Sequence, residues 1–245
     1  MTDCDNSLNP PPRHAARYAV YFAPAADHPL WRAGCTWLGR DPSADAHERP
    51  TRAHVDAPWR YGFHATLKAP MRLADGAAEA GFVSELERLA RRTRAFAMPA
   101  LEVAWLGGFL ALRPRAAPAA DHPLNRLARA CVIELDHWRA APVPAELARR
   151  GLDDLDADQR ALLQRYGYPH VLERWRFHLT LSDKLARDAV AGMRLEREAG
   201  EHFAAALAEP LVCDSISLFV ERAAGAPFQL ARRCEFGAQG EPPTS

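Results

Sequence analysis

The sequence has no long apolar segment and no excess of either charge, and each of these absences excludes a class of protein. None of its apolar runs approaches the roughly 20 residues that a transmembrane helix needs. Its 31 basic and 31 acidic residues balance to a formal net charge of zero. No overall field therefore attracts the chain to nucleic acid or to a membrane surface. We expect a soluble globular protein that acts as a monomer and has no membrane partner; the balanced charge argues against a nucleic acid partner without excluding it.

Cysteine is scarce, and its placement argues against both disulfides and zinc. The five cysteines are odd in number, widely scattered and without a Cys-x-x-Cys pair. Such a pattern is typical of reduced thiols in a cytoplasmic protein. The polar, acidic N-terminal residues do not have the pattern of a secretory signal peptide either. The sequence therefore predicts a cytoplasmic location, and it predicts neither a metal ion nor another cofactor.

The main positive feature is a pattern of eight positions that occurs twice, at Arg60–Leu67 and at Arg174–Leu181. Both copies read Arg, aromatic, any residue, Phe, His, any residue, Thr, Leu. Apolar and polar residues alternate in each copy, which predicts a strand with the phenylalanine and leucine in the core. A period of two then places each histidine and the threonine two residues later on the same face.

This polar face predicts a binding site for a phosphate group. We predict that His64 and His178 are catalytic. The phosphate is expected to be bound by hydroxyls and cations on or next to the two strands, together with two tyrosines. These residues are Thr66, Thr180, Lys68, Arg174, Arg176, Tyr21 and Tyr168. Tyr21 shares a strand face with Arg17, and Tyr168 lies just before the second copy.

Two histidines suit the hydrolysis of a phosphodiester without a metal. The imidazole pKa near ~6.5 allows one ring to be neutral and the other charged at neutral pH. One histidine would take a proton from water, and the other would deliver a proton to the leaving oxygen. Threonine hydroxyls and cations would stabilise the charge that spreads over the phosphorus oxygens. The sequence does not assign the two roles to particular histidines.

The rest of the chain predicts two halves of similar order, each with a histidine strand, a helix and a hairpin. Strands are predicted at residues 17–23, 101–105, 109–112, 215–220 and 228–236. Helices are predicted at about residues 29–38, 77–92, 124–138, 156–166 and 186–207, on the basis of apolar residues at helical spacing. Ligands commonly bind between two such halves.

The paired Phe-His-x-Thr-Leu motifs resemble those of the two-histidine (2H) phosphoesterase superfamily. Segments 17–24, 61–70 and 166–181 also resemble a bacterial branch that is encoded near carbon–phosphorus lyase genes and labelled as phosphonate metabolism proteins. The resemblance implies activity on cyclic phosphodiesters or related bonds. It assigns His64 and His178 to the catalytic positions, and Thr66 and Thr180 to the phosphate-binding positions.

The resemblance also implies the fold class. We expect a bilobal α+β structure with pseudo-two-fold symmetry, in which two antiparallel sheets line a central cleft and helices lie outside. A single domain would span residues 15–236, with lobe one at about 15–115, lobe two at about 120–236 and a helical insertion at about 141–170. Residues 1–14 and 237–245 are expected to be flexible tails.

Three functions remain open at this point. The first is a metal-independent enzyme that hydrolyses a small cyclic phosphate of a sugar or nucleotide, linked to phosphonate catabolism. The second is a phosphodiesterase acting on 2′,3′-cyclic RNA ends. Such an enzyme is expected to have a broad basic surface, and the balanced net charge counts mildly against it. The third is a binding module that holds a small phosphorylated metabolite, although binding alone does not require two titratable histidines.

Overall fold

The computed structural model describes residues 16–44, 50, 52–142 and 154–237. The predicted N-terminal tail, all but residue 237 of the predicted C-terminal tail, and residues 143–153 of the predicted insertion lie outside these ranges. Within the described part of the chain, helices and antiparallel sheets are combined, which confirms the predicted α+β class.

The described strands number nine in chain order. They are β1 (Arg17–Phe22), β2 (Ala65–Met71), β3 (Phe96–Ala97), β4 (Leu101–Leu106), β5 (Phe109–Pro114), β6 (Leu179–Thr180), β7 (Val212–Cys213), β8 (Ser215–Glu221) and β9 (Gln229–Glu235). They form a four-stranded sheet in the order β2-β1-β8-β9, a three-stranded sheet in the order β4-β5-β6 and a β3-β7 pair. All the pairings are antiparallel.

The described helices pack against these sheets. They are α1 (Pro29–Leu38), α2 (Asp56–Tyr61), α3 (Glu79–Arg91), α4 (Pro123–Glu134), α5 (Ala157–Tyr166) and α6 (Val190–Ala208), with 3₁₀ turns at Asp136–Trp138 and Leu172–Arg174. Helix α3 contacts β8 and β9, α4 contacts β2, and α1 contacts α6. The apolar stripe of α3 supplies Phe82, Leu86 and Leu89 to the core. None of the described helices is long and apolar enough to cross a membrane.

Strands from the two predicted halves of the chain lie side by side in the same sheets. The C-terminal hairpin β8–β9 joins β1 in the four-stranded sheet, while β6, which carries the second motif, pairs with β5 from the first half. The short β3–β7 pair also joins the two halves. Each sheet therefore contains strands from both predicted lobes, and the lobe boundary at residues 115–120 does not separate the sheets.

The two motifs are less regular than the prediction of two full strands. In the first copy, Arg60 and Tyr61 end helix α2, and Gly62 adopts a positive φ of 79° before β2 begins at Ala65. In the second copy, Arg174 belongs to a 3₁₀ turn and β6 contains two residues. The predicted strands are therefore wrong for the first part of each motif. The burial nevertheless alternates as predicted over residues 63–67 and 177–181, where the phenylalanines and leucines are buried and the histidines and threonines are half-buried.

Candidate active site

Both motif histidines have the same local hydrogen bond. Nδ1 of His64 lies 2.8 Å from the carbonyl oxygen of Gly62, and Nδ1 of His178 lies 2.8 Å from that of Arg176. A carbonyl oxygen only accepts hydrogen bonds, so each Nδ1 carries the proton. In both rings Nε2 is therefore the nitrogen that can gain or lose a proton.

The structure brings the two motifs together. Strands β2 and β6 contact each other, and the indole Nε1 of Trp175 donates to the carbonyl oxygen of Thr66 at 2.8 Å. The positive charge of His178 contributes to lowering the pKa of His64. The two imidazoles are therefore within electrostatic reach of one another, as a shared phosphate site requires.

An aromatic environment surrounds His64. The ring of Tyr21 stacks on the imidazole with centroids 3.7 Å apart, and the rings of Phe219 and Tyr61 lie 6.2 and 6.3 Å away. This burial lowers the pKa of His64 to about 4, against the opposing effect of the bond to Gly62. His64 is therefore neutral at neutral pH, and its Nε2 is available to accept a proton.

His178 is half-buried beside Phe109, whose ring centroid lies 5.6 Å from the imidazole. Burial lowers its pKa from the usual value, its bond to Arg176 opposes this, and the charge of His170 lowers the pKa further. Because two positive charges repel each other equally, burial sets the order of protonation; it is more complete around His64, so the first proton taken up by the pair resides on His178. The singly protonated pair thus has a neutral His64 and a charged His178.

The two threonines lie on half-buried strand positions. Thr66 Oγ1 is 3.3 Å from Nε2 of His64, and Thr66 lies opposite Tyr21 across β1–β2. Thr180 lies opposite Ala111 across β5–β6, and its chain neighbour Leu179 is buried in the core. Both hydroxyls are therefore outside the apolar core. Their binding to phosphate remains a prediction.

Lys68 lies on the other face of the sheet from Thr66. Adjacent residues of β1, Val20 and Tyr21, pair with Lys68 and Thr66, which are two residues apart in β2. This β-bulge reverses the alternation, because the extra residue changes which face the following side chains occupy. Lys68 is buried, and its Nζ donates to Asp136 at 3.2 Å and to a carbonyl of α4. The bulge thus explains why Lys68 is not beside the histidines.

The two predicted arginines of the second motif have partners within the protein. Arg174 lies 2.9 and 3.0 Å from the carboxylates of Asp156 and Asp158 at the start of α5. Arg176 is exposed, and its guanidinium donates to the carbonyl oxygen of Trp175 at 2.7 Å. Among the described residues no hydrogen bond joins either guanidinium to His64 or His178, and Arg176 contacts His178 only through its backbone carbonyl oxygen.

The two predicted tyrosines differ in their relation to His64. Tyr21 is buried, and this burial raises the pKa of its hydroxyl well above the usual value. Tyr168 is half-buried and close enough to Tyr21 to influence its pKa. Tyr21 therefore contacts a catalytic candidate directly, whereas Tyr168 packs edge-on against His170 and lines a small pocket with Lys68.

Two residues that position the motifs were not predicted from the sequence. Trp175 joins the two motif segments through its hydrogen bond to Thr66. In the sequence it is noticeable only as the aromatic residue of the repeated pattern. Asp183 follows the second motif, and its carboxylate accepts hydrogen bonds from the backbone N–H groups of Asp56 and Ala57 at 3.0 and 2.7 Å. It thus caps the helix that leads into the first motif. A lone aspartate after a strand gives no sequence signal for this role.

No group of three or more His, Cys, Asp or Glu side chains is arranged to hold a metal ion in the part of the chain that the structure describes. The four described cysteines are free, and burial raises the pKa of the half-buried Cys35 to about 12. A thiol with such a pKa remains protonated at neutral pH and is a poor nucleophile. The titratable groups of this site are therefore the two imidazoles and their tyrosine neighbours.

Two curated relatives are similar over most of the chain. Both bear the name ribose 1,5-bisphosphate phosphokinase PhnN. The protein from Janthinobacterium sp. (strain Marseille) is 39% identical over 244 residues, which cover 92% of this chain and 52% of that protein. The protein from Laribacter hongkongensis (strain HLHK9) is 41% identical over 225 residues, covering 88% and 51%. The chain thus spans about half the length of these relatives.

Solved structures with similarity to this fold include two of Escherichia coli LigT. The complex with phosphate has a TM-score of 0.43 and 15% identity, and it covers 92% of this chain and 99% of LigT. The complex with 3′-AMP has a TM-score of 0.42 and 15% identity, with coverages of 91% and 98%. In addition, a family described as "Protein of unknown function (DUF1045)" matches residues 66–229. The match covers more than half of the chain and includes His178 but not His64, and it shows that the chain belongs to the DUF1045 family.

Proposed function

We propose that this protein is a metal-independent phosphoesterase that hydrolyses a small cyclic phosphodiester. The observation that carries the proposal is the pair of imidazoles, each with Nδ1 bound to a backbone carbonyl and Nε2 left to exchange a proton. The effect of one ring on the pKa of the other supports their action on a single phosphate.

In this mechanism His64 is the general base. Its pKa of about 4 leaves Nε2 unprotonated at neutral pH. Nε2 takes a proton from water as the water oxygen forms a bond to phosphorus. Because stacking on Tyr21 and the bond to Gly62 limit rotation of the ring, the proton acceptor is held in one orientation.

His178 is the general acid, since it holds the first proton of the pair. As the bond between phosphorus and the leaving oxygen breaks, Nε2 of His178 gives its proton to that oxygen. The products are a phosphomonoester and a free hydroxyl. The hydroxyls of Thr66 and Thr180 donate to the non-bridging oxygens, where negative charge increases in the transition state. Each positioned acid or base contributes about 10²–10⁴ to the rate.

We infer that the substrate is a phosphorylated sugar. The relatives are named for action on ribose 1,5-bisphosphate, and this chain matches about half of each of them. The chain contains no Gly-Lys pair and hence no Gly-x₄-Gly-Lys-Ser/Thr loop of the kind that binds nucleotide phosphates in many kinases. We therefore assign the phosphokinase activity in those names to the half of the relatives that this chain does not cover. The link to phosphonate catabolism rests on the resemblance in the motifs.

The direct test is a turnover screen with sugar cyclic phosphates, nucleoside 2′,3′-cyclic phosphates, RNA ending in a 2′,3′-cyclic phosphate, and linear diesters. We expect turnover of a small cyclic phosphate, a loss of about 10²–10⁴ in kcat for His64→Ala and for His178→Ala, and little change for the exposed control His137→Ala. Removing both histidines should cost much less than the product of the two single losses, because they act as a unit.

The alternatives give different results in the same screen. Preference for the RNA substrate over every small cyclic phosphate would favour the RNA-end phosphodiesterase. Binding of phosphorylated sugars without turnover of any substrate would favour the binding module. Turnover that both histidine variants retain would show that the chemistry occurs elsewhere.

A further inference from the structure

A buried carboxylate holds two arginines beside the His64 end of the site. Glu221 is 2% exposed and forms ion pairs with Arg17 and Arg60 through different carboxylate oxygens. Arg17 lies directly opposite Glu221 across the β1–β8 pairing, and Arg60 lies in the last turn of α2. The backbone N–H of Gly225 donates to the same carboxylate at 3.0 Å.

This cluster has one positive charge in excess and unused hydrogen-bond donors. Arg17 contacts Glu221 through Nε, and Arg60 does so through Nη2. Within the described residues, no acceptor is bound to the two Nη atoms of Arg17 or to Nη1 of Arg60. The side chains are 30% and 34% exposed, whereas that of Glu221 is almost fully buried. Solvent therefore meets the guanidinium groups and not the carboxylate that holds them.

Aromatic rings connect the cluster to His64. The guanidinium of Arg60 lies 5.7 Å from the ring centroid of Tyr61, whose centroid is 6.3 Å from that of His64. Arg17 is close enough to Tyr21 to influence its pKa, and Tyr21 stacks directly on His64. The two cations are thus separated from the imidazole by about one aromatic side chain.

We propose that Arg17 and Arg60 form a subsite for a second anionic group of the substrate, a phosphate at some distance from the one that reacts. This inference rests on the proposed function, in which the reacting phosphate lies between the two histidines. Guanidinium groups bind phosphate oxygens through paired N–H donors. Glu221 fixes both side chains in advance, so that less conformational freedom is lost on binding.

The test compares the binding of fructose 1,6-bisphosphate and fructose 6-phosphate, which differ by one phosphate, using calorimetry at low ionic strength. Because charge-assisted hydrogen bonds are strong, we expect the wild-type protein to prefer the bisphosphate by at least about tenfold. The triple variant Arg17→Gln, Arg60→Gln, Glu221→Gln keeps three polar side chains at the cluster without leaving a buried charge unpaired. It should bind the two sugars with similar affinity. The control Arg222→Gln removes an arginine that pairs with Glu79 elsewhere and should keep the preference.

Arg17→Lys and Arg60→Lys provide a second route if the triple variant does not fold. Each keeps the charge that faces Glu221 but loses the planar donors, so the preference should decrease. Equal affinity of the wild-type protein for both sugars, or an unchanged preference in the triple or the lysine variants, would overturn the subsite.

The subsite and the proposed function fail in different measurements. A variant with both His64→Ala and His178→Ala lacks the proposed acid and base, yet it should retain the preference for the bisphosphate. If this preference is present while no cyclic phosphate is hydrolysed by the wild-type protein, the subsite stands and the proposed reaction is wrong. Loss of the preference in the double histidine variant would overturn the separation of the two sites.

Discussion

Acid should destabilise this protein through His64, and the effect can be measured without knowing the substrate. Burial against Tyr21 lowers the pKa of His64 from 6.5 to about 4 in the folded protein. Between these values the unfolded chain binds a proton at this position and the folded chain does not. The free energy of unfolding therefore decreases as the pH falls through 6.5, and the decrease ends near pH 4.

The magnitude follows from the two pKa values. The difference between 6.5 and about 4 corresponds to roughly 3 kcal/mol, because a tenfold change in proton affinity is worth about 1.4 kcal/mol. The imidazole is half-buried, so water screens part of its charge. We therefore expect His64 to account for about 1–2 kcal/mol of the stability lost between pH 7.5 and pH 4.5.

The assay compares urea unfolding of the wild-type protein and of His64→Asn at these two pH values. An asparagine amide can still donate to the Gly62 carbonyl but does not take up a proton in this range. The variant should lose about 1–2 kcal/mol less than the wild-type protein on acidification. The exposed control His137→Asn should stay within about 0.5 kcal/mol of the wild-type pH dependence.

An identical loss in the wild-type protein and in His64→Asn would refute this reasoning. It would mean that the imidazole is solvated in the folded state, so that burial does not keep it neutral. The assignment of His64 as the base would then lose its physical basis, even if the protein were active.

Three further predictions concern activity. The pH profile of kcat/KM should be bell-shaped, since burial lowers both pKa values. The activity should increase with pH near pH 4, where His64 loses its proton, and should decrease again at higher pH, with a midpoint lower than 6.5, where His178 loses its proton. A profile that keeps rising above pH 8 would contradict the pair. EDTA should leave the activity intact, whereas inactivation by EDTA and recovery with Mn²⁺ or Zn²⁺ would recast the histidines as metal ligands. Trp175→Phe removes the N–H that donates to Thr66 and should cost about 1 kcal/mol of stability; it should also lower kcat more than it changes KM, and an NMR titration should show the pKa of His64 closer to 6.5. An unaltered titration would show that Trp175 has only a structural role.

Local sequence patterns determined most helices and strands of this fold, and they singled out His64 and His178 as candidate site residues. The helix predicted at residues 29–38 is observed at Pro29–Leu38, and the hairpin around Gly107 was marked by its turn residues. Such features depend on residues a few positions apart, which interact in the same way wherever the segment lies. The repeated motif belongs to this class too, because each histidine takes its Nδ1 partner from two residues earlier.

The tertiary structure alone decided which side chains share a site. A bulge in β2 moves Lys68 to the face opposite Thr66. The pairing of β8 with β1 brings Glu221 into contact with Arg17, although more than 200 residues separate them in the chain. The stacking of Tyr21 on His64, and the low pKa on which the proposed role of His64 as the base depends, arise in the same way. Strand pairing and bulges depend on the packing of distant segments, and a period of two along one strand contains no information about them.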